Sequence, residues 1–258
     1  MPRRARRLLE NRSYHITHRC HDRQFLLKFI GDRRRYIELL RQMSRSYEVD
    51  ILGYMVTSNH VHLLLWSKDP AEISEALRFL EGTAAQKHNR RKGRTGSFWS
   101  GRYRSTLIQD GFHLGRCMFY IDLNMVRNGQ VEHPREWLGS SYVETSGKRK
   151  RSLIVNRELL IRKTGHSSEE EFTSWYENTL KEKIRRKELA REPFWSESLA
   201  VGDKEWVSSI ASRIHLGKKE LSRAEPNPAG KSLKVREEPA IYYVKGGKRS
   251  NQALSRCL

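Results

Sequence analysis

The stretch Asn59-His60-Val61-His62-Leu63-Leu64-Leu65-Trp66 contains two histidines, one residue apart, inside an apolar run. Side chains alternate between the two faces of a β-strand, so a strand here places His60 and His62 on one face and Val61 on the other. Two imidazoles on one face of a strand can provide half of a metal site. Alone, this spacing is a weak signal, because a chain with 10 histidines often contains it by chance. Its meaning depends on what the rest of the chain supplies.

The chain is strongly basic. Its 258 residues include 50 lysines and arginines against 30 aspartates and glutamates, which gives a formal net charge of +20. Such a charge favours a polyanionic partner, most often nucleic acid, although a ribosome or an anionic membrane surface would also fit. No apolar run reaches the roughly 18 residues that span a bilayer, and no apolar segment follows the basic arm at residues 1–7. We therefore expect a protein that does not enter a membrane.

The cysteines indicate a reducing compartment. Cys20, Cys117 and Cys257 are odd in number and widely spaced. This pattern argues against a disulfide framework and against a cysteine zinc cluster, and it predicts a cytoplasmic protein.

Hydrophobic periodicity predicts strands over 13–20, 49–56, 61–66 and 106–109, and helices over 31–47, 70 to about 90, and 111–128. The short turn at 57–59 joins the second and third strands as an antiparallel hairpin. The first six elements match the βαββαβ ferredoxin-like plan, an antiparallel sheet with helices on one face. We therefore predict an α+β fold with the histidine strand at the centre of the sheet and the third helix packed beside it.

The composition also predicts the domain organisation. A basic run at Lys148-Arg149-Lys150-Arg151 indicates a boundary after residue 147. Residues 1–147 would form the α+β domain, and residues 148–220 a mostly helical C-terminal extension. Residues 221–258 are polar and contain proline and glycine, which predicts a poorly ordered basic tail.

Two further segments carry candidate functional residues. The third predicted helix presents Arg116, Tyr120, Asn124 and Arg127 on one stripe, which is unusual for a face that only meets solvent. The segment 98–104 interleaves aromatic and basic residues, a pattern suited to stacking on unpaired bases and contacting phosphates. A loop whose tryptophan fills the edge of the core is an equally good interpretation. The candidate residues in this segment are Trp99, Arg102 and Arg104.

Three more histidines lie in or just after the first strand. His15, His18 and His21 could be ligands, but their positions do not share one face of a strand. This spacing disfavours a metal site made by these three residues.

Four segments, taken together, resemble the REP-associated tyrosine transposases, which belong to the IS200-like, single-tyrosine HUH transposases. The resemblance covers about residues 10–145 and departs from the usual family pattern at Ser58 and Met125, where a proline is common. Because of Met125, we expect the helix around Tyr120 to run straighter here. The segments are Tyr14-His15-Ile16-Thr17, Asn59-His60-Val61-His62-Leu63-Leu64, residues 120–127 (YIDLNMVR) and residues 137–142 (WLGSSY).

The resemblance implies a chemistry for these residues. His60, His62 and Asn124 would bind a divalent ion, and Tyr120 would attack a DNA phosphate to form a 5′-phosphotyrosine link. Imidazole ligands alone favour zinc, whereas phosphate chemistry suits Mg²⁺ or Mn²⁺, which the family implies. Arg116 or Arg127 would favour the ionised phenol.

The family also implies the partners and the setting of the protein. The substrate would be single-stranded or hairpin DNA from repetitive extragenic palindromes (REP), with no small-molecule substrate, in the cytoplasm of a bacterium and near its nucleoid. The sequence leaves open whether the protein forms a homodimer. The residues expected to bind nucleic acid are Arg116, Arg127, Trp99, Arg102 and Arg104.

Two other functions compete with this one. The chain could be a catalytically inactive DNA- or RNA-binding module with a regulatory role, although all four site residues are present. It could also be a structural zinc protein built on His60 and His62, but it lacks further cysteine or histidine ligands at suitable spacing.

Overall fold

The computed structural model describes residues 8–151, 153–214, 224–227 and 230–233. The basic arm at 1–7 and most of the tail predicted over 221–258 lie outside these residues. Within the described residues, no helix has the length and apolar character needed to cross a lipid bilayer.

The strands and helices follow the predicted order closely. The strands are β1 (Arg12–Arg19), β2 (Asp50–Val56), β3 (His60–Ser67), β4 (Arg104–Ile108), β5 (Ala200–Gly202), β6 (Ala224–Asn227) and β7 (Gly230–Leu233). The helices are α1 (Ile30–Ser46), α2 (Pro70–Lys92), α3 (Phe112–Asp122), α4 (Asn124–Arg127), α5 (Tyr142–Thr145), α6 (Arg157–Lys163), α7 (Glu169–Arg185), α8 (Phe194–Glu197) and α9 (Lys204–Arg213).

The strands form one sheet in the order β2-β3-β1-β4-β5-β7-β6. The pairs β2–β3, β3–β1 and β1–β4 are all antiparallel. This order and these directions are those of the ferredoxin-like βαββαβ plan, so the predicted α+β fold class is confirmed. β3 lies between β2 and β1, as expected for the histidine strand.

Helices cover both faces of the sheet rather than one. His18 of β1 contacts Glu81 of α2 on one face, whereas His15 of the same strand lies beside Tyr120 of α3 on the other. Residues an odd number of positions apart in a strand point to opposite faces of the sheet. His15 and His18 are three positions apart, so they contact helices on different faces. α3 therefore packs against the sheet face that carries the histidine pair.

The C-terminal region does more than add helices. β5 pairs in parallel with β4, through Leu107 with Ala200 and Ile108 with Val201, and β7 and β6 continue the sheet. Without β5, the outer edge of β4 would present unpaired N–H and C=O groups. Residues 224–227 and 230–233 are strands, and the poor order expected of the tail over 221–258 stays a prediction.

The helix around Tyr120 is broken rather than straight. The backbone of Leu123 adopts φ −81° and ψ 4° between α3 and α4, and this break contradicts the expectation drawn from Met125. Arg127 donates a hydrogen bond from its guanidinium to the carbonyl of Tyr120 at 3.2 Å, just before the break. The side chain of Arg127 thus binds a carbonyl group at the point where the helix is interrupted.

Candidate active site

Three elements place the four predicted site residues together. His60 and His62 lie on β3, Tyr120 on α3, and Asn124 at the start of α4. The imidazoles of His60 and His62 are 4.9 Å apart between ring centres, and the ring of Tyr120 lies 6.2 Å from that of His62. Asn124 Nδ2 lies 3.2 Å from His62 Nε2.

Hydrogen bonds fix which nitrogen of His62 carries the proton. His15 Nδ1 lies 2.8 Å from the carbonyl oxygen of Trp195, which can only accept, so His15 donates from Nδ1. In a neutral imidazole, His15 Nε2 is then an acceptor, and His62 Nδ1 donates to it at 2.9 Å. The lone pair of His62 is therefore on Nε2, the nitrogen that faces Asn124.

His60 is oriented by residues of its own turn. His60 Nδ1 lies 2.7 Å from Asn59 Oδ1 and 2.9 Å from Thr57 Oγ1, and the Thr57 hydroxyl donates to the His60 carbonyl. Nδ1 is thus the nitrogen that carries the proton, and Nε2 keeps its lone pair. Both histidines of the pair therefore present the same kind of ligand atom.

Burial keeps these imidazoles neutral. It lowers the pKa of His15 and that of His60 to about 4, and it lowers the pKa of His62 well below its ordinary value. Positive charge on Arg19 lowers the pKa of His60 further. A neutral imidazole is the form that binds a metal ion.

These side chains could hold a divalent ion through three protein ligands. Asn124 lies beside His62 Nε2, the ring of His60 lies 4.9 Å from that of His62, and His15 supplies His62 with the outer hydrogen bond that metal-binding histidines usually have. Among the residues that the structure describes, no group of three or more histidine, cysteine, aspartate or glutamate side chains could hold a metal ion. A metal site built on His60 and His62 would therefore need a ligand of another kind, such as the amide of Asn124.

Tyr120 is a buried phenol under an arginine. Its side chain is 6% exposed, and the guanidinium of Arg127 lies 4.3 Å from the centre of its ring. Burial raises the pKa of Tyr120, while the charge of Arg127 acts in the opposite direction. Tyr120 is therefore neutral at pH 7, and of the two arginines expected to favour its ionised form, Arg127 is the one that contacts it.

The C-terminal extension contributes to the site through residues 189–195. Arg127 Nε donates to the carbonyl of Leu189 at 3.0 Å, and Arg116 pairs with Glu192 at 2.8 Å. Trp195 lies 6.4 Å from Tyr120 and donates its indole N–H to Glu192 at 2.8 Å. Arg116 is thus already paired with a carboxylate.

The segment 98–104 is only partly available for nucleic acid. Trp99 stacks on His18 at 4.2 Å and donates its indole N–H to the carbonyl of Glu81, so one face of its ring is covered. The side chains of Arg102 and Arg104 are exposed. The binding roles expected of these three residues stay predictions.

Several arginines lie near Arg19, which is the neighbour of His60 on β1. Arg19 lies directly across from His60 in the β1–β3 register. Partial burial lowers the pKa of Arg19, and the positive charges of Arg23, Arg191 and Arg104 lower it further. In the described part of the chain, no carboxylate pairs with Arg19, Arg23 or Arg104. We call Arg19, Arg23, Arg104 and Arg191 the arginine cluster; such a group can bind the phosphates of a strand that enters the site.

The segment 137–142 holds the hairpin that carries His60. Trp137 donates its indole N–H to the carbonyl of Val56 at 2.9 Å, and the N–H of Val56 donates to Gly139 at 2.8 Å. A Cβ at Gly139 would overlap the Val56 carbonyl, so only glycine fits. These contacts place the end of β2, and so the turn before His60, against the rest of the domain.

Sequence reasoning weighed His15 only as a metal ligand and did not predict its contact with His62, and it missed Trp195. His15 and Thr17 are two positions apart in β1 and so lie on the same face of the sheet, and Thr17 pairs with His62. The register of β1 with β3 would therefore have placed His15 near His62. Trp195 acts through its backbone carbonyl, 180 residues from His15, and no sequence signal could have indicated that contact.

Residues 9–124 match the family model described as "Transposase IS200 like". The match covers less than half of the chain, and this segment is similar to IS200-like transposases. It contains His60, His62, Tyr120 and Asn124, so all four predicted site residues lie within the matched segment.

Two solved structures resemble this chain at low identity. One, described as a REP-associated tyrosine transposase bound to a REP hairpin, is 17% identical over 57% of this chain and 87% of that chain, with a TM-score of 0.48. The other, a putative transposase from Deinococcus radiodurans R1, is 17% identical over 40% of this chain and 84% of that chain, with a TM-score of 0.32. No curated protein matches the chain.

Proposed function

We propose that this protein is an IS200-like transposase that cuts and rejoins single-stranded DNA through a covalent link to Tyr120. The observation that carries the proposal is the position of His62: its ring lies 6.2 Å from that of Tyr120 and 4.9 Å from that of His60, and its Nε2 lies 3.2 Å from Asn124 Nδ2. Such a set binds a divalent ion beside a nucleophile, which is the arrangement needed for phosphoryl transfer.

The reaction is a displacement at phosphorus. The Tyr120 phenol loses its proton to solvent, and its oxygen forms a bond to the phosphorus of the cleaved strand. The bond from phosphorus to the 3′ oxygen breaks, and that oxygen takes up a proton to become a free 3′-OH. Because the phosphotyrosine link keeps the energy of the broken bond, a second 3′-OH can reverse the reaction and join a different strand without ATP.

The residues of the chain prepare this step. His60, His62 and Asn124 would hold Mg²⁺ or Mn²⁺, which when bound neutralises the phosphate and so lowers the barrier to attack. Arg127 favours the phenolate by its charge, against the burial that disfavours it. Arg19 adds positive charge beside His60, and the other members of the arginine cluster lie near Arg19.

The preferred substrate in this proposal is a DNA hairpin of the REP type. The four matching sequence segments and the net charge of +20 support it. One structural neighbour is described as bound to a REP hairpin. A location near the bacterial nucleoid and assembly as a homodimer stay predictions.

The proposal is tested by incubating the protein and Mn²⁺ with labelled single-stranded hairpins from the intergenic repeats of its own genome. A denaturing gel shows any covalent protein–DNA band. We expect the band with wild type and with the control Tyr47→Phe, a half-buried tyrosine beside Phe79 on the other helix layer, and none with Tyr120→Phe. Tight binding without a band on any repeat would favour the inactive binding module instead.

A further inference from the structure

One loop, beside the turn that precedes His60, exposes large apolar side chains. Phe25 is 65% exposed, Phe29 60% and Ile30 45%. Phe25 and Phe29 line the same open groove of about 390 Å³, which continues to the C-terminal end of α2. Exposed aromatic side chains that share one groove indicate a binding surface.

The loop is held in place from beneath. Arg33 is buried, donates from Nη1 to the carbonyl of Leu27 at 3.1 Å and to that of Lys28 at 2.5 Å, and stacks on Trp137 at 4.4 Å. The backbone N–H of Leu27 also donates to Ser58 at 2.9 Å. The two phenylalanines are therefore presented by a fixed backbone, and little entropy is lost when a partner binds them.

The loop also connects directly to the turn that precedes His60. Asn59 donates from its side chain to the carbonyl of Arg23 at 3.2 Å. Asp22 and Arg23 both have positive φ, 48° and 56°, a conformation that non-glycine residues rarely adopt. Strained backbone of this kind is common at functional sites, and here it lies where the arginine cluster meets the loop.

Positive charge accompanies the aromatic rings. Lys92 Nζ lies 5.1 Å and Lys28 Nζ 6.0 Å from the centre of the Phe29 ring. We call Phe25, Phe29 and Ile30, with Lys28 and Lys92, the phenylalanine platform. Aromatic rings flanked by cations suit stacked bases and their phosphates, because every base has a face that can stack.

We propose that the phenylalanine platform binds the unpaired nucleotides that flank the cleaved phosphate. The inference rests on the proposed function, since it assigns the path by which a single strand reaches the site. The strand would pass from His60 along Arg19 and Arg23 of the arginine cluster and then stack on Phe25 and Phe29. Stacking on unpaired bases is the role that the sequence predicted for Trp99. His18 covers one face of the Trp99 ring, whereas the rings of the platform are exposed.

DNA binding measured in EDTA tests the platform without catalysis, because EDTA removes the divalent ion that the proposed reaction needs. The probe is a fluorescein-labelled oligo-dT strand of about 12 nucleotides, with fluorescence anisotropy as the readout. We expect Phe25→Ala and Phe29→Ala each to raise Kd about tenfold. The matched control is Phe112→Ala, since Phe112 is 68% exposed but follows β4 at the end of the sheet away from His60, and it should bind as wild type does.

A second comparison distinguishes loss of stacking from general damage. The Phe25→Ala/Phe29→Ala double variant should bind a blunt hairpin with wild-type affinity and lose affinity only for a hairpin with an unpaired oligo-dT flank. Lys28→Gln and Lys92→Gln should each reduce the slope of log Kd against log salt by about one. Unchanged binding of the flanked hairpin by the double variant would overturn the proposal, as would an equal loss on both hairpins.

The platform and the proposed function can fail separately. If Tyr120 forms its covalent link but the double variant binds the flanked hairpin normally, the platform proposal is wrong and the function stands. If the double variant loses affinity for the unpaired strand while no covalent link ever forms, the platform proposal holds, and the protein binds DNA without cleaving it. If light scattering shows that the double substitution converts a dimer to a monomer without altering DNA binding, the surface binds a second copy and the proposal is overturned.

Discussion

His15 Nε2 accepts a hydrogen bond from His62 Nδ1 at 2.9 Å, and this contact determines which nitrogen of His62 is free to bind a metal ion. His15 is itself fixed by donating to the carbonyl of Trp195. The two rings are stacked 5.1 Å apart, and both are buried. A residue of the C-terminal extension therefore acts, through His15, on His62, which we propose as a metal ligand.

Replacing His15 tests this relay through metal affinity. His15→Phe keeps a ring of similar shape but removes the acceptor for His62 Nδ1, so His62 can turn or take the other tautomer. We expect Mn²⁺ affinity to fall about 10- to 100-fold, as measured by isothermal titration calorimetry. His15→Gln keeps an acceptor near the position of Nε2 and should retain more of the affinity. Equal affinity in wild type and His15→Phe would show that the contact is not needed.

The buried histidines also predict how stability depends on pH. The pKa of His15 is about 4 in the folded state, against the ordinary 6.5 when it is exposed, so the unfolded chain binds the proton first as pH falls. The contribution of neutral His15 to the free energy of unfolding is therefore complete above pH 6.5 and decreases towards pH 4. Lowering the pH from about 7 to about 5 should reduce the free energy of unfolding by about 2 kcal/mol through His15 alone.

Urea unfolding of wild type and His15→Phe at several pH values measures that contribution. The variant should lose less stability on acidification than wild type, whatever its stability at neutral pH. Parallel curves for the two proteins would mean that His15 does not titrate in this range.

The fold was largely predictable because its first four strands carry local signals. Alternation in β1 and the apolar run of β3 indicate strands, and a short turn between β2 and β3 favours a hairpin. The pair His60 and His62 follows from the period of two alone. The partition of helices between the two sheet faces was not predictable, because it depends on how distant elements pack.

The remainder of the site depends on long-range contacts. His15 enters it only through the register of β1 with β3, and Trp195 only through a backbone carbonyl. β5 has three residues, too few for a reliable periodic signal, yet it covers the edge of β4. The packing of Trp99 on His18 likewise depends on a contact between residues far apart in sequence.

Arg127 and Arg116 were both expected to act on Tyr120, and the structure separates them. Arg127 lies over the phenol ring, so Arg127→Gln should raise the pKa of Tyr120 further and slow formation of the covalent link about tenfold at neutral pH. Arg116 pairs with Glu192, so Arg116→Gln should have a smaller effect. Single-turnover rates measured across pH give the comparison.

The pH profile identifies the cause of that loss. A raised phenol pKa means that less phenolate is present at neutral pH, so the Arg127→Gln rate should recover as pH increases. A loss that is the same at every pH would indicate a contact with DNA instead of an effect on Tyr120.

Gly139 allows the Val56 carbonyl to approach, and a side chain there should disturb the hairpin that carries His60. A Cβ would overlap the Val56 oxygen and the Trp137 indole, so we expect Gly139→Ala to destabilise the fold by about 1–3 kcal/mol. Gly82 in α2 is the control, because no atom lies within 4 Å of a Cβ there, and Gly82→Ala should stabilise by about 0.5–1 kcal/mol. Urea midpoints measure both changes. Displacing the hairpin would also move the turn before His60, so Gly139→Ala should bind Mn²⁺ more weakly under conditions where it is still folded. Unchanged stability and unchanged Mn²⁺ affinity would show that the hairpin adapts without moving the site.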